Sequence, residues 1–170
     1  NTVGVSINGD AYDITSSETI SYNQWHHLAI SSVHSGTTTL YLDGVSVGTT
    51  SNSSANGIRP LVLGALYVDY NNTWINPFSG YISNVRIIKG TALYTSDCTP
   101  HAEKLTEVTN TTILTAQSNR FIETASDLSF TFRGSPKISS FNPFGQIDYD
   151  VGKNKGSFYS RDNVSNYIEL

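Results

Sequence analysis

The sequence predicts an all-β protein: two stacked layers of antiparallel strands, with at most one short helical turn. Three observations predict it. Apolar residues alternate with period two along much of the chain, and no window carries the i, i+3, i+4, i+7 pattern over helical length. Within TTTLYLDGVSVGTT, Asp43-Gly44 separates two alternating runs, and Asp-Gly readily supplies the positive backbone angles of a type I′ hairpin turn.

The same alternation places strands over Val3 to Ile7, His27 to Val33, Thr38 to Leu42, Val45 to Thr49, Leu61 to Leu66 and Gly80 to Ile88. Further runs give Ile113 to Thr115, Ser129 to Arg133, Gly156 to Tyr159 and Tyr167 to Leu170. Trp25 plugs one end of the core, and the strand after it turns Leu28 and Ile30 inward. Along residues 80 to 88, Tyr81, Ser83, Val85 and Ile87 lie on one face and Ile82, Asn84, Arg86 and Ile88 on the other. Gly90 then permits a break, and TALYTSDCTP fits a single helical turn that tucks Leu93 and Tyr94 back over the sheet before Pro100.

Composition excludes several classes of function. A chain of 170 residues has room for one full domain or parts of two. A net charge of -4 offers no basic field for nucleic acid or anionic lipid. No run approaches the roughly 18 apolar residues of a membrane span, and no basic-then-apolar signal segment opens the chain, so a soluble protein is expected. The single cysteine, Cys98, has no intramolecular disulfide partner, which fits assembly in a reducing compartment and a small packed side chain. The absence of methionine leads us to expect a segment of a longer polypeptide.

Candidate chemistry is sparse. His26 and His27 are adjacent, so in a strand they point to opposite faces and do not chelate one metal together. Asp43 reads as a turn former. Sequons at Asn52, Asn71, Asn110 and Asn163 read as chance occurrences in an Asn- and Thr-rich chain. The Glu-x-Asp-x-x-Glu arrangement of strand-borne carboxylates that cleave β-glucans is absent, as are a Gly-x-Ser-x-Gly elbow and a His-Glu-x-x-His helix. A non-enzyme is expected.

Four segments, QWHHLAI (24 to 30), TLYLDGVSVG (39 to 48), LVLGAL (61 to 66) and FSGYISNVRIIKGTALYTSDCTP (78 to 100), resemble in order and spacing the laminin-G-like, or concanavalin A-like lectin/glucanase, modules. The resemblance implies a jelly-roll sandwich. The wording RIIKGTALYT is most similar to versions repeated in tandem in virion proteins of tailed bacteriophages, particularly those of aquatic and cyanobacterial hosts. Residues 113 to 144, ILTAQSNRFIETASDLSFTFRGSPKISSFNPF, and residues 156 to 170, GSFYSRDNVSNYIEL, resemble the beginning of such a module.

The order is therefore reversed. Residues 1–104 read as the rear portion of one module and residues 105–170 as a connector and the front portion of the next. Either the two parts belong to separate sandwiches, or the later strands complete the first sandwich as in a circular permutation. The second arrangement avoids long unpaired edges and predicts pairing between a strand in 157 to 170 and the 80 to 88 region.

Relatives of this kind bind sugars or calcium on rim loops, and the resemblance directs attention to two loops. In YVDYNNTWINP (67 to 77), Tyr67, Tyr70 and Trp74 offer faces on which a sugar ring can stack, while Asp69, Asn71 and Asn72 offer oxygen ligands. An ordinary polar loop whose aromatics cover the core edge is the alternative. In NGDAYD (8 to 13), Asp10 and Asp13 can share a cation with the same chemistry as Asp69, and a plain Asn-Gly turn explains the loop equally well. Calcium is the one candidate ion, and no cofactor is required.

What the resemblance implies is a non-enzymatic virion structural or appendage module: a fibre, knob or capsid decoration. It would be assembled in the host cytoplasm as a homo-oligomer, meeting other subunits or repeats and a host-surface glycan, with neither nucleic acid nor membrane insertion. The alternatives are a cell-surface or matrix adhesion module outside the cell, and a non-catalytic module of a carbohydrate-active enzyme.

Overall fold

The computed structural model describes residues 1–7, 12–51, 61–68, 73–117, 130–144, 157–160 and 167–169. Among them every regular element is a strand: β1 (Thr2–Val5), β2 (Ile14–Thr19), β3 (Leu28–Ser32), β4 (Thr38–Leu42), β5 (Val45–Thr50), β6 (Val62–Leu63), β7 (Leu66–Val68), β8 (Thr73–Ile75), β9 (Gly80–Ile82), β10 (Val85–Ile88), β11 (Thr111–Thr115), β12 (Thr131–Arg133), β13 (Lys137–Ser139), β14 (Ser157–Ser160) and β15 (Tyr167–Glu169). All pairings among the described residues are antiparallel, as the alternation predicts for a β-sandwich. Among the described residues no helix is long and apolar enough to cross a membrane. The chain divides into two compact units, residues Asn1–Ile58 with Lys89–His101, and Arg59–Ile88 with Ala102–Leu170.

In the first unit, β3, β4 and β5 form a three-stranded sheet and β1 pairs with β2. The β4–β5 turn is the expected one: Asp43 has φ 51° and Gly44 φ 87°, the double positive φ of a type I′ turn. The hairpin carries a bulge between Leu40 and Tyr41. Val5, Ile14, Leu40, Leu42 and Val47 meet in one buried cluster, so β1–β2 covers one face of the three-stranded sheet. Gly48 permits that approach, because a β-carbon there would collide with Cγ2 of Ile14.

Two expectations need correction in this unit. Leu28 and Ile30 do not turn into the core; they are 53% and 59% exposed, while Ser31, the residue after Ile30, is buried. Their partners in register, Leu42 and Leu40, are buried, so the apolar face continues onto β3, the edge strand, beyond the side chains that cover it. Nor is there a helical turn over residues 91–100. That segment runs irregularly along the opposite face, held by Cys98 N–H to Gly44 O at 2.8 Å and by Ser46 N–H to an Asp97 carboxylate oxygen at 2.9 Å. Tyr94 does tuck back: its ring stands 6.0 Å from Tyr41 and 6.1 Å from His27. Leu93 stays exposed. A helix would pair its own backbone groups, whereas this irregular path gives the Cys98 N–H to the hairpin backbone and the Tyr94 carbonyl to the Tyr41 hydroxyl.

In the second unit the strands form sheets ordered β12-β15-β6 and β13-β14-β9, with β10 paired to β11 and β7 to β8. β14 pairs with β9 (Phe158↔Ile82, Tyr159↔Tyr81, Ser160↔Gly80), and β15 pairs with β6 (Ile168↔Leu63, Glu169↔Val62). Strands near the end of the chain thus occupy the middle positions of sheets whose edges include strands from residues 62–82. The run from Gly80 to Ile88 is not one strand but two. Asn84 takes φ 64°, which ends β9 and redirects β10 towards β11, so the single alternating face assigned to residues 81 to 88 does not exist.

Asn84 also organises what surrounds it. Its Oδ1 accepts from Leu105 N–H at 3.0 Å and from Gln117 Nε2 at 2.8 Å, and Gln117 Nε2 also donates to Leu105 O at 2.6 Å. Arg86 Nη1 donates to Thr106 O at 2.9 Å. Residues 103–106 are thereby strapped to the β10–β11 pair.

Candidate functional site

The described parts of the expected sugar-binding segment, residues 67 to 77, include the two strands of a ribbon. β7 and β8 pair as Leu66↔Ile75, Tyr67↔Trp74 and Val68↔Thr73. Tyr67 and Trp74 sit at one register position, so they share a face of the ribbon, and Leu66 with Ile75 shares the other. Leu66 and Ile75 are 53% and 42% exposed. Asp69, Tyr70, Asn71 and Asn72, the residues that connect the two strands, lie outside the described residues.

The base of the ribbon is fixed by backbone. Phe78 N–H donates to Gly64 O at 2.7 Å, with Gly64 at φ 90° and Asn76 at φ 51°. The Phe78 ring folds over Gly80, with Cε1 and Cζ each 2.8 Å from where a β-carbon on that glycine would stand. From residue 61 to residue 85, Asp69 is the sole charged side chain. An aromatic, nearly uncharged ribbon suits a neutral, partly apolar ligand better than an ion. The missing signal in the sequence was symmetry: LYV and TWI flank the four residues DYNN as two arms of a hairpin.

The second candidate loop is different. Asp10 lies outside the described residues, and Asp13 uses Oδ2 to accept the Ile7 N–H at 2.6 Å. Of the three calcium ligands expected, only Asp13 is therefore described. One carboxylate already engaged with backbone does not supply the roughly six to eight oxygens that calcium takes. Among the described residues no group of three or more His, Cys, Asp or Glu side chains is placed to hold a metal.

The described carboxylates close to backbone act as caps. Asp43 Oδ1 accepts His27 N–H at 2.8 Å and its Oδ2 meets His26 Nδ1 at 2.7 Å, while Asp97 serves Ser46 as described above. His26 Nε2 in turn stands 3.2 Å from both the N–H and the carbonyl of Ser21. Glu103 and Glu107 lie in the irregular segment between β10 and β11 and are exposed.

The profile of the concanavalin A-like lectin/glucanases superfamily, Laminin_G_3, matches residues 2–95. The chain belongs to this family, and its antiparallel all-β fold agrees with that membership. Comparison with curated proteins and with solved structures found no match.

Proposed function

We propose that the chain is a non-catalytic recognition module that binds a neutral glycan on the β7–β8 ribbon, carried on a virion as part of a fibre, knob or capsid decoration. The observation that carries the binding reading is the Tyr67↔Trp74 register pair on a ribbon with one charged residue in its neighbourhood. Two aromatic residues at one position of a ribbon present a stacking surface at small entropic cost. Membership of a lectin/glucanase superfamily supports carbohydrate as the ligand class. The virion setting rests on the likeness of residues 86 to 95, RIIKGTALYT, to tandem virion modules. Display in many copies makes weak single-site binding avid.

The test is a glycan array probed with the 170-residue chain and with Trp74→Ala. Binding to neutral glycans that the substitution abolishes supports the proposal. Binding that survives it, or silence from a folded sample, overturns it.

A second reading, contact with other subunits, has its own observation. Edge strand β3 presents Leu28 and Ile30, with Val33 beyond its end, as exposed apolar side chains. An open edge with apolar residues is a template for pairing. Concentration-dependent association in sedimentation, lost on Ile30→Lys, distinguishes it.

A further inference from the structure

We infer that the outer face of β1–β2 is a second carbohydrate-stacking surface, with the Tyr12 ring as its platform and neutral glycans as its ligand class. Tyr12 is 73% exposed, yet its ring is not adrift. Cδ1 is the ring carbon nearest to where a β-carbon on Gly4 would stand, and its neighbours Cε1 and Cγ follow at 2.7 and 2.9 Å. Three adjacent carbons at such similar distances mean that the face of the ring, not its edge, meets the strand. Gly4 is what allows this, since any side chain there would occupy the place of the ring. One face of the phenol is therefore seated on backbone and the other is open to solvent.

The surroundings match a sugar. Gly4 pairs with Thr15 and Thr2 with Thr19, while Val3 packs against the buried cluster and Ile14 and Ser16 are buried. Alternation therefore sends Thr2, Thr15 and Thr19 outward, and all three are exposed, whereas the Ser17 hydroxyl donates to Val47 O at 3.3 Å. A pyranose offers apolar C–H groups on its face and hydroxyls around its rim, which an aromatic ring on a strand pair whose outward residues are threonines can meet in both respects. Charge selects the class further. Residues 1 to 58 contain no Lys or Arg, so β1 and β2 offer an anionic sugar no cationic side chain, and the Asp13 carboxylate beside Tyr12 is turned to the Ile7 N–H.

This surface belongs to the first unit, and the β7–β8 ribbon to the second. The inference extends the carbohydrate reading to another place and stands or falls separately from it. The experiment is an amide NMR titration of the full chain with the neutral hexasaccharides cellohexaose, laminarihexaose and chitohexaose, with sialyllactose as the anionic comparison. The expected result is saturable shifts at Gly4 and Thr15 with at least one neutral oligosaccharide and none with sialyllactose. Tyr12→Ala should weaken that response about fivefold to tenfold, Tyr12→Phe should keep it, and Trp74→Ala should leave it unchanged. Unchanged Val5 and Ile14 amides in the free variants establish that the fold is intact. Absence of shifts at Gly4 and Thr15 with all three neutral sugars, or shifts that persist in Tyr12→Ala, overturns the inference. Shifts confined to residues 66–75 overturn it while sparing the ribbon proposal; shifts confined to Gly4 and Thr15 do the reverse.

Discussion

Gly44 and Cys98 are joined backbone to backbone, Cys98 N–H to Gly44 O at 2.8 Å, and a β-carbon on Gly44 would overlap the Cys98 carbonyl oxygen. The turn glycine therefore has two duties, to adopt φ 87° and to let residues 91–100 lie against the hairpin. Gly44→Ala violates both, and we expect a loss of about 3 kcal/mol in folding stability. Urea denaturation measures it; a loss below about 1 kcal/mol would show that the segment docks elsewhere.

Asp43 ties the same turn to the residues before β3. Its carboxylate meets His26 Nδ1 at 2.7 Å and accepts the His27 N–H at 2.8 Å, and its backbone takes φ 51°. The His26–Asp43 pair is partly exposed, so most of its value lies in hydrogen bonding and turn geometry rather than in charge. Asp43→Asn, which keeps the turn conformation and one acceptor, should cost about 1 kcal/mol, and Asp43→Ala about 2 kcal/mol. Equal losses in thermal or urea unfolding would contradict this division.

Asn84 should be worth more than an ordinary exposed asparagine. It supplies the left-handed residue between β9 and β10 and accepts from both Leu105 N–H and Gln117 Nε2. Asn84→Gly keeps the backbone angle and removes the acceptor, whereas Asn84→Ala removes both, so the alanine variant should be less stable by about 1 kcal/mol more. In either variant the Leu105 amide should exchange faster with solvent. Unchanged protection there would place the strap under other control.

The late strands should be indispensable to the second unit. β14 lies between β13 and β9, and β15 between β12 and β6. Removing residues 157–170 leaves the edges of four strands unpaired, which favours aggregation. We expect lost amide protection at Ile82 and Leu63, the register partners of Phe158 and Ile168. A monomeric truncated chain that retains protection at both would show that these pairings add little.

Local signals were the legible ones. Asp43-Gly44 announced its hairpin because turn chemistry is set by the two residues themselves, and the strands at Thr38–Leu42 and near 157 and 167 followed from alternation. Three features depended on the fold as a whole. Leu28 and Ile30 alternate like core residues, but burial depends on what lies over an edge strand. The run through Asn84 alternates without interruption, so only the tolerance of Asn for positive φ hinted at the break. β2 is not legible because a Thr- and Ser-rich run such as ITSSET has little apolar contrast, and β7, β8 and β13 are too short, at 3 residues each, to show an alternation.

The site was legible as residues rather than as geometry. Tyr67 and Trp74 stood out as aromatics in a polar segment, and the pairing that sets them opposite one another came with the structure. Tyr12 is not legible as a site, since nothing local signals that a ring at position 12 will rest on Gly4.

The central claim is that sugar meets the Trp74 face of the β7–β8 ribbon. Trp25 and Trp74 are the chain's two tryptophans, so Trp25→Phe leaves Trp74 as the sole indole emitter. Fluorescence titration of that variant with a neutral glycan that binds on the array should give a saturable change in emission, with a midpoint equal to that from calorimetry. Saturable heat with no change in Trp74 emission would contradict the account.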